Sequence, residues 1–208
     1  MPDDALIAES RTVRAKHAAS LLVLQYQNDE PHILMGMRGA KHRFMPNRLV
    51  FPGGRVDRAD LTAPSATPLS AATERSLRKK TNPKLAHALA IAAARELLEE
   101  TGLSLGHPPR LDVLHYLARA VTPPGSPIRF NARFLLVEAH HVSGELAGDG
   151  ELEGLRFYAM TEALELGLAL LTRRVLERLQ WWLALPETER DAQTRTPVLL
   201  RDRGWVME

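Results

Sequence analysis

Arg95-Glu96-Leu97-Leu98-Glu99-Glu100-Thr101-Gly102-Leu103 is the stretch whose reading decides the fold of this chain. Its glutamates stand at i, i+3 and i+4, the spacing that brings carboxylates onto one face of a helix. Like charges so placed cost a helix roughly a few tenths of a kcal/mol per pair, a penalty that a bound cation removes. Carboxylate oxygens are hard donors, and with no thiolate or clustered imidazole beside them they favour Mg2+ or Mn2+ over zinc or copper. Arg95 lies four residues before Glu99 and is placed to pin it by an ion pair. On its own, the run from Arg95 to Glu100 reads more simply as the solvated face of an amphipathic helix, so its surroundings matter.

The helix is predicted to start at Asn82, whose side chain can cap free amides, with Pro83 suited to the first helical position. It should run to about Thr101, where Gly102 can take the left-handed closing conformation. Ala90, Ile91, Ala94, Leu97 and Leu98 fall on one side of it and Glu96, Glu99 and Glu100 on the other. Upstream stands Phe51-Pro52-Gly53-Gly54-Arg55-Val56-Asp57. Paired glycines after a strand let the backbone turn tightly and present an unobstructed carbonyl or amide to a ligand.

Around this centre, Ala18 to Tyr26 and Ile33 to Arg38 read as a strand hairpin across the polar cluster Asn28-Asp29-Glu30-Pro31, and Val50 and Phe51 end a third short strand. Leu61 to Thr81, rich in Ala, Ser, Thr and Pro, reads as an inserted surface segment with room for one short helix. Leu111 to Val121, Arg129 to Glu138 and Leu155 to Met160 read as strands, and Thr161 can cap a short helix. Leu170 to Leu185 reads as a helix with Leu171, Val175, Leu176, Leu179 and Trp182 along one stripe. The order implies an α/β fold, a mixed sheet between helical layers, in one domain over residues 1–208 with 61–82 inserted and 170–208 a C-terminal helix and tail.

Composition narrows the function. The 208 residues are 45% hydrophobic, and a net charge of +2 gives no general reason to expect a nucleic-acid partner. The absence of cysteine removes disulfides and thiolate chemistry and fits a reducing compartment. The N-terminus carries acid where a signal peptide carries base, and no apolar run approaches the roughly 18 residues that span a bilayer. The expectation is a cytoplasmic protein with no membrane partner. GxSxG, GxxxxGK and HExxH are absent, and the histidines show no metal-ligand spacing.

Gly54, Asp60 six positions on, and then Arg95 to Leu103 resemble the Nudix box, GxxxxxE, seven residues, REUxEExGU, with U aliphatic. The second half matches at every defined position. Asp60 stands where the family usually has Glu, and the stretch from Leu61 to Ala94 is far longer than seven residues. A box split in this way, together with Phe51 to Gly54 and Arg129 to Phe134, resembles the subgroup that includes peroxisomal coenzyme A diphosphatases. The chain's last residues, Val206-Met207-Glu208, are no peroxisomal address.

The resemblance implies a Nudix-type α/β/α sandwich and a hydrolase that uses Mg2+ or Mn2+ to cleave a nucleoside diphosphate linked to another moiety. A coenzyme A-like, ADP-ribose-like or dinucleotide substrate, and a homodimer, would be in keeping. It implies Glu96, Glu99, Glu100 and the Gly54 carbonyl as metal ligands, with Glu96 bridging metal and water. Asp60, one methylene shorter than Glu and beside an insertion able to displace it, is left out of that set. A general base is expected from the loop Asp149 to Gly154, with Glu153 ahead of Glu151. Gly53, Arg38 and Arg55 are the expected substrate contacts, nearest the turn among Arg38, Arg43, Arg48 and Arg55. The basic run Arg75, Arg78, Lys79, Lys80 could capture an anion but reads more simply as solvated surface. The alternative is a Nudix-fold module that binds or senses a nucleotide metabolite without turnover, favoured by the altered first half of the box and opposed by its intact glutamates.

Overall fold

The computed structural model describes residues 13–39, 47–148, 150–192, 195–200 and 204–208. Arg43 and Asp149 lie outside the described residues. Strands β1 (Lys16–Gln27) and β2 (Glu30–Arg38) form the expected hairpin. Only Asn28 and Asp29 make its turn, both with positive φ, while Glu30 already pairs with Gln27. Short β3 (Leu49–Val50) and β4 (Gly53–Arg55) follow. The inserted stretch carries one helix, α1 (Ala71–Arg78), and then comes α2 (Pro83–Thr101).

Strands β5 (His115–Val121), β6 (Phe130–Glu138) and β7 (Leu152–Ala159) precede α3 (Met160–Glu165), α4 (Leu170–Leu183) and the single turn α5 (Glu187–Arg190). The chain closes on β8 (Pro197–Leu200) and β9 (Gly204–Met207). The nine strands form one mixed sheet in the order β3-β2-β1-β6-β5-β8-β9, with β4 beside β1 and β7 beside β2. β1 runs parallel to β6 and β5 parallel to β8, while the other pairs are antiparallel.

Side chains alternate across the sheet, so each face has its own core. Ala19, Leu21, Val23, Leu135 and Val137 pack under α2 with Leu89, Ala93 and Leu97. Leu22, Leu24, Leu117 and Leu136 pack on the opposite face under α3 and α4 with Met160, Val175, Leu176 and Leu179. The expected mixed sheet between helical layers is therefore present.

Four local expectations change. The insertion is more than surface: Leu77 and Thr73 are each 1% exposed, and the Thr73 hydroxyl donates to the Leu114 carbonyl, tying α1 to the start of β5. Leu98 is half-exposed instead of packed. Thr161 is not a cap, since Ala159 precedes α3 and the Thr161 hydroxyl donates to Glu30. The tail after α4 supplies two strands, because Val198 and its neighbours complete the β5 edge that would otherwise be open.

Candidate active site

Helix α2 is built as its sequence implies. The Asn82 side chain accepts from the Leu85 amide at 2.8 Å, Pro83 opens the first turn, and Gly102 closes the helix at φ 75°, its amide donating to the Leu98 carbonyl. A Cβ at Gly102 would stand 2.5 Å from the Glu145 carbonyl oxygen, so the closing residue has no room for a side chain.

β4 lies alongside β1, Gly54 opposite Ala19 and Gly53 opposite Ser20, and carries its two glycines to the C-terminal half of α2. The Gly53 amide donates to Glu100 Oε2 at 2.7 Å. A Cβ on Gly54 would meet Glu96 Oε1 at 2.2 Å, so a side chain here would push the Glu96 carboxylate from its place. Gly53 and Gly54 line one cleft together with Glu96, Glu99 and Glu100.

Arg95 is the hub of the acidic face. Its Nη1 donates to Glu96 Oε1 and to Glu99 Oε2, both at 2.8 Å, so the expected ion pair to Glu99 is present and Glu96 shares it. Its Nε and Nη2 reach Asp60 at 3.0 and 3.2 Å, and Nη2 also donates to the Arg55 carbonyl. Asp60, 2% exposed, accepts in addition from the Asp57 amide at 2.7 Å. Asp60 stays against α2 despite the insertion that follows it, held in the short 3-10 turn Ala59–Leu61 and paired with Arg95. Asp60 acts here by orienting Arg95.

Burial raises the Glu96 pKa, with Glu99 and Glu151 adding repulsion against the pull of Arg95. Burial likewise pushes Glu100 up to about 8, against the Gly53 amide and Arg38, with Glu96 and Glu151 adding repulsion. Burial opposes the charge on Arg95, yet Asp60 and Glu96 together raise its pKa above the ordinary value. The site thus holds more buried negative charge than its arginines neutralise.

A cleft of about 940 Å³ opens on these groups and runs between the sheet and the start of α4. Arg38, Gly53, Gly54, Arg55, Glu96, Glu99 and Glu100 all line it. Arg38 Nη2 stands 3.9 Å from Glu100 Oε1, and its buried Nε has no partner, leaving donor capacity for a ligand. Glu151 lines the cleft as well, whereas Glu153, exposed and paired with Met37 on β7, is not among the lining residues. Of these two loop carboxylates, Glu151 is the one beside the cleft. Arg48 donates to the Gly167 carbonyl; in the basic run Arg78 pairs with Glu74, while Lys79 donates to the Glu208 carbonyl at 2.9 Å and Lys80 pairs with the Glu208 carboxylate.

Pattern reading missed the outer wall of the cleft, formed by Leu170 and Leu171 at the start of α4 and by Leu199 and Leu200 of β8. The apolar run from Pro197 to Leu200 was the available signal for a strand there.

A solved structure, a NUDIX hydrolase from Alicyclobacillus acidocaldarius, matches 79% of this chain and 90% of its own with a TM-score of 0.63 at 25% identity. The chain has the Nudix fold. Residues 86–179, which include all of α2 beyond its first turn, match the model of the NUDIX domain. The NUDIX domain of Shewanella oneidensis NrtR, solved in complex with ADP ribose, shares the Nudix fold with a TM-score of 0.51 over 83% of this chain and 90% of that one, at 14% identity. A Caenorhabditis elegans protein named "Putative nudix hydrolase 7" is 39% identical over 71 residues, 34% of this chain. That match spans only 17% of the length of the curated relative.

A divalent ion suits the donor set of this site. Its donors are all oxygens, and two of its carboxylates are buried without full counter-charge. Among the described residues no three acidic or imidazole side chains already enclose an ion. The reason is visible in the geometry: Arg95 engages Glu96 and Glu99, and Glu100 is turned to the Gly53 amide. Binding would therefore have to draw the exposed Glu99 and the largely buried Glu96 off the Arg95 Nη1.

Proposed function

We propose that this chain is a Nudix pyrophosphohydrolase, cleaving the diphosphate linkage of a nucleoside diphosphate joined to another moiety. The carrying observation is the meeting of Glu96, Glu99 and Glu100 with Gly53 and Gly54 in one large cleft that also holds Arg38 and Arg55. Glu96, Glu99, Glu100 and the Gly54 carbonyl would hold Mg2+ or Mn2+, which when bound supplies the positive charge that offsets the diphosphate and acidifies water.

The residues of the chain then have distinct tasks. Arg38 and Arg55 bind phosphate oxygens through their guanidinium groups. Gly53 and Gly54 admit the diphosphate close to the backbone. Glu151 takes a proton from the attacking water, whose oxygen bonds to phosphorus as the bridging P–O bond breaks and the second phosphate leaves with the electron pair. Glu153 is replaced in this role by Glu151 because only Glu151 lines the cleft. Asp60 and Arg95 position Glu96 and Glu99.

ADP-ribose, coenzyme A and diadenosine polyphosphates are the substrate types to test, the first supported by the ADP ribose bound in a protein of the same fold. Among the described residues no helix is long and apolar enough to cross a membrane. With no cysteine in the chain, a cytoplasmic setting is the natural one, and assembly as a homodimer is read by light scattering. Product analysis of that panel with Mg2+ or Mn2+ tests the proposal. Cleavage at the diphosphate that is lost in Glu99→Gln supports it. Tight binding without product from any member would make the chain a nucleotide-metabolite binding module instead.

A further inference from the structure

A second hollow lies away from the carboxylates, where α1 of the insertion, α4, α5 and the tail come together beside Tyr116 of β5. It measures about 20 Å³, room for one water-sized group at its floor, and its Asp191 and Arg195 are exposed, so the rim is open. Arg178, Arg190 and Arg195 line it together with Ser76 and Tyr116. None of its lining residues belongs to the cleft that holds the glutamates.

The positive charge here is not neutralised. Arg178 lies over the Trp181 ring at 3.9 Å and its Nε reaches the Leu117 carbonyl at 3.5 Å. Arg190 donates to the carbonyls of Leu185 and Leu183 at 3.2 and 2.9 Å. Carbonyl dipoles and a ring face leave a guanidinium without a counter-ion. Burial lowers the Arg178 pKa to about 10, opposed by Tyr116. Asp191 is the one acidic residue that lines the hollow, and His115 Nδ1 stands 3.1 Å from its carboxylate. Tyr116 also stands among the charges of Arg133, Arg119 and Glu208. Arg119 pairs with Glu208 at 2.7 Å, but Arg133, 1% exposed, has the uncharged Asn131 as its partner, and its Nη2 is buried without one.

We propose that this hollow is an anion site that takes a phosphate group, as the free ion or as the end of a phosphate monoester. A phosphate dianion supplies the charge that the arginines lack, and its oxygens accept from guanidinium forks that arrive from separate elements. One oxygen fills the floor, the rest of the group lies among the arginines at the rim, and the Ser76 hydroxyl donates to it. Ser76 belongs to α1, Arg178 to α4, Arg190 to α5 and Arg195 to the tail, so one bound anion clamps the insertion and the tail onto α4. The assignment is independent of the hydrolase reading, since it uses no residue of the cleft.

The test is calorimetry with inorganic phosphate and with methyl phosphate, against chloride at matched ionic strength, on the full chain in chelator. Because Arg38 and Arg55 can also hold phosphate, the parent protein carries Arg38→Gln and Arg55→Gln. It should bind one equivalent of phosphate, and its melting temperature should rise with phosphate and not with chloride. Arg195→Gln, at an exposed position, removes a charged donor and should weaken binding about tenfold. Ser76→Asp, which sets a carboxylate in the hollow, should abolish it. Melting in chloride shows whether each variant is folded, and Arg195→Gln decides the matter if Ser76→Asp is not. Methyl phosphate bound as tightly as inorganic phosphate makes the ligand a monoester, and inorganic phosphate bound alone makes it the free ion. No phosphate binding by the parent, or binding that Arg195→Gln leaves unchanged, overturns the site.

Discussion

The two faces of the sheet are made from the same strands and treated in opposite ways. Under α2, Ala19, Leu21, Val23 and Leu135 are fully buried against Leu89, Ala93 and Leu97, and that face is solid. Under the start of α4, the alternate residues Ala18, Ala120 and Ala132 leave a cleft that opens to the carboxylates. Both faces hold a buried core, and on the face under α2 the insertion adds Leu77 of α1 to it. Ligand space is concentrated on the other, where small side chains and a late-arriving hairpin replace large ones. Helix α2 belongs to the solid face, and its carboxylates reach the open one beside Gly53 and Gly54 of β4.

The largest break in this comparison is expected on the open face, in rate alone. Glu151→Gln should lower kcat by about a hundredfold or more with little change in melting temperature, as removal of a general base does. Glu153→Gln should stay within about twofold of wild type. Equal losses in the two variants, read by steady-state kinetics, would remove Glu151 from its role.

On the solid face the expected effect is on stability. Leu89→Ala should cost about 2–5 kcal/mol in denaturant unfolding, as large-to-small changes in a closed core do. Ala132→Leu, on the opposite side of the sheet, should cost less than about 1 kcal/mol because its added carbons enter existing space. Similar costs for both would mean that the cleft is not open in solution.

Asp60→Ala tests how the two regions are joined. With Arg95 no longer anchored, Glu96 and Glu99 lose their orientation, and activity should fall by about 10- to 100-fold with a matching rise in the metal concentration needed. Asp60→Asn, which keeps the hydrogen-bonding shape and loses the charge, should fall between the two. Metal titration of the rate separates this positioning role from a loss of folding.

The smallest effect is a pH dependence. Glu100 has a folded-state pKa of about 8 against an ordinary 4.5, so between those values the folded chain holds a proton that the unfolded chain releases. This contribution is fully present below pH 4.5 and is lost as pH rises through 8. Metal-free protein should therefore melt lower at pH 8.5 than at pH 6, by on the order of 5 °C relative to Glu100→Gln, measured in chelator by calorimetry. Mg2+ should remove the difference between the two pH values. A wild type that parallels Glu100→Gln across this range would show that Glu100 is not held protonated.

Much of this was legible in advance for physical reasons. The caps of α2, the β1–β2 hairpin and the stripe of α4 follow from local rules that act within a few residues, and the structure reproduces them. Where a judgement depended on distant chain, it changed. Leu98 lies on the helix side that periodicity marked as buried, yet it is half-exposed. Asp60 and Arg95 are 35 residues apart, and their contact depends on how the insertion folds between them. Arg133, 1% exposed on β6, gives no sign in the sequence of being buried, and its Nη1 turns to the Asn131 carbonyl.

The sequence by itself determined that three glutamates share one face of a capped helix and that a glycine pair follows a strand, since turn geometry and helical spacing are properties of short segments. Only the tertiary structure decided that Gly53 and Gly54 meet that helix, that Asp60 orients Arg95, that Glu151 and not Glu153 lines the cleft, and that three alanines lie in one row. Strand register sets the glycine contact and the alanine row, and register is a property of which strands pair, decided by the packing of both faces at once.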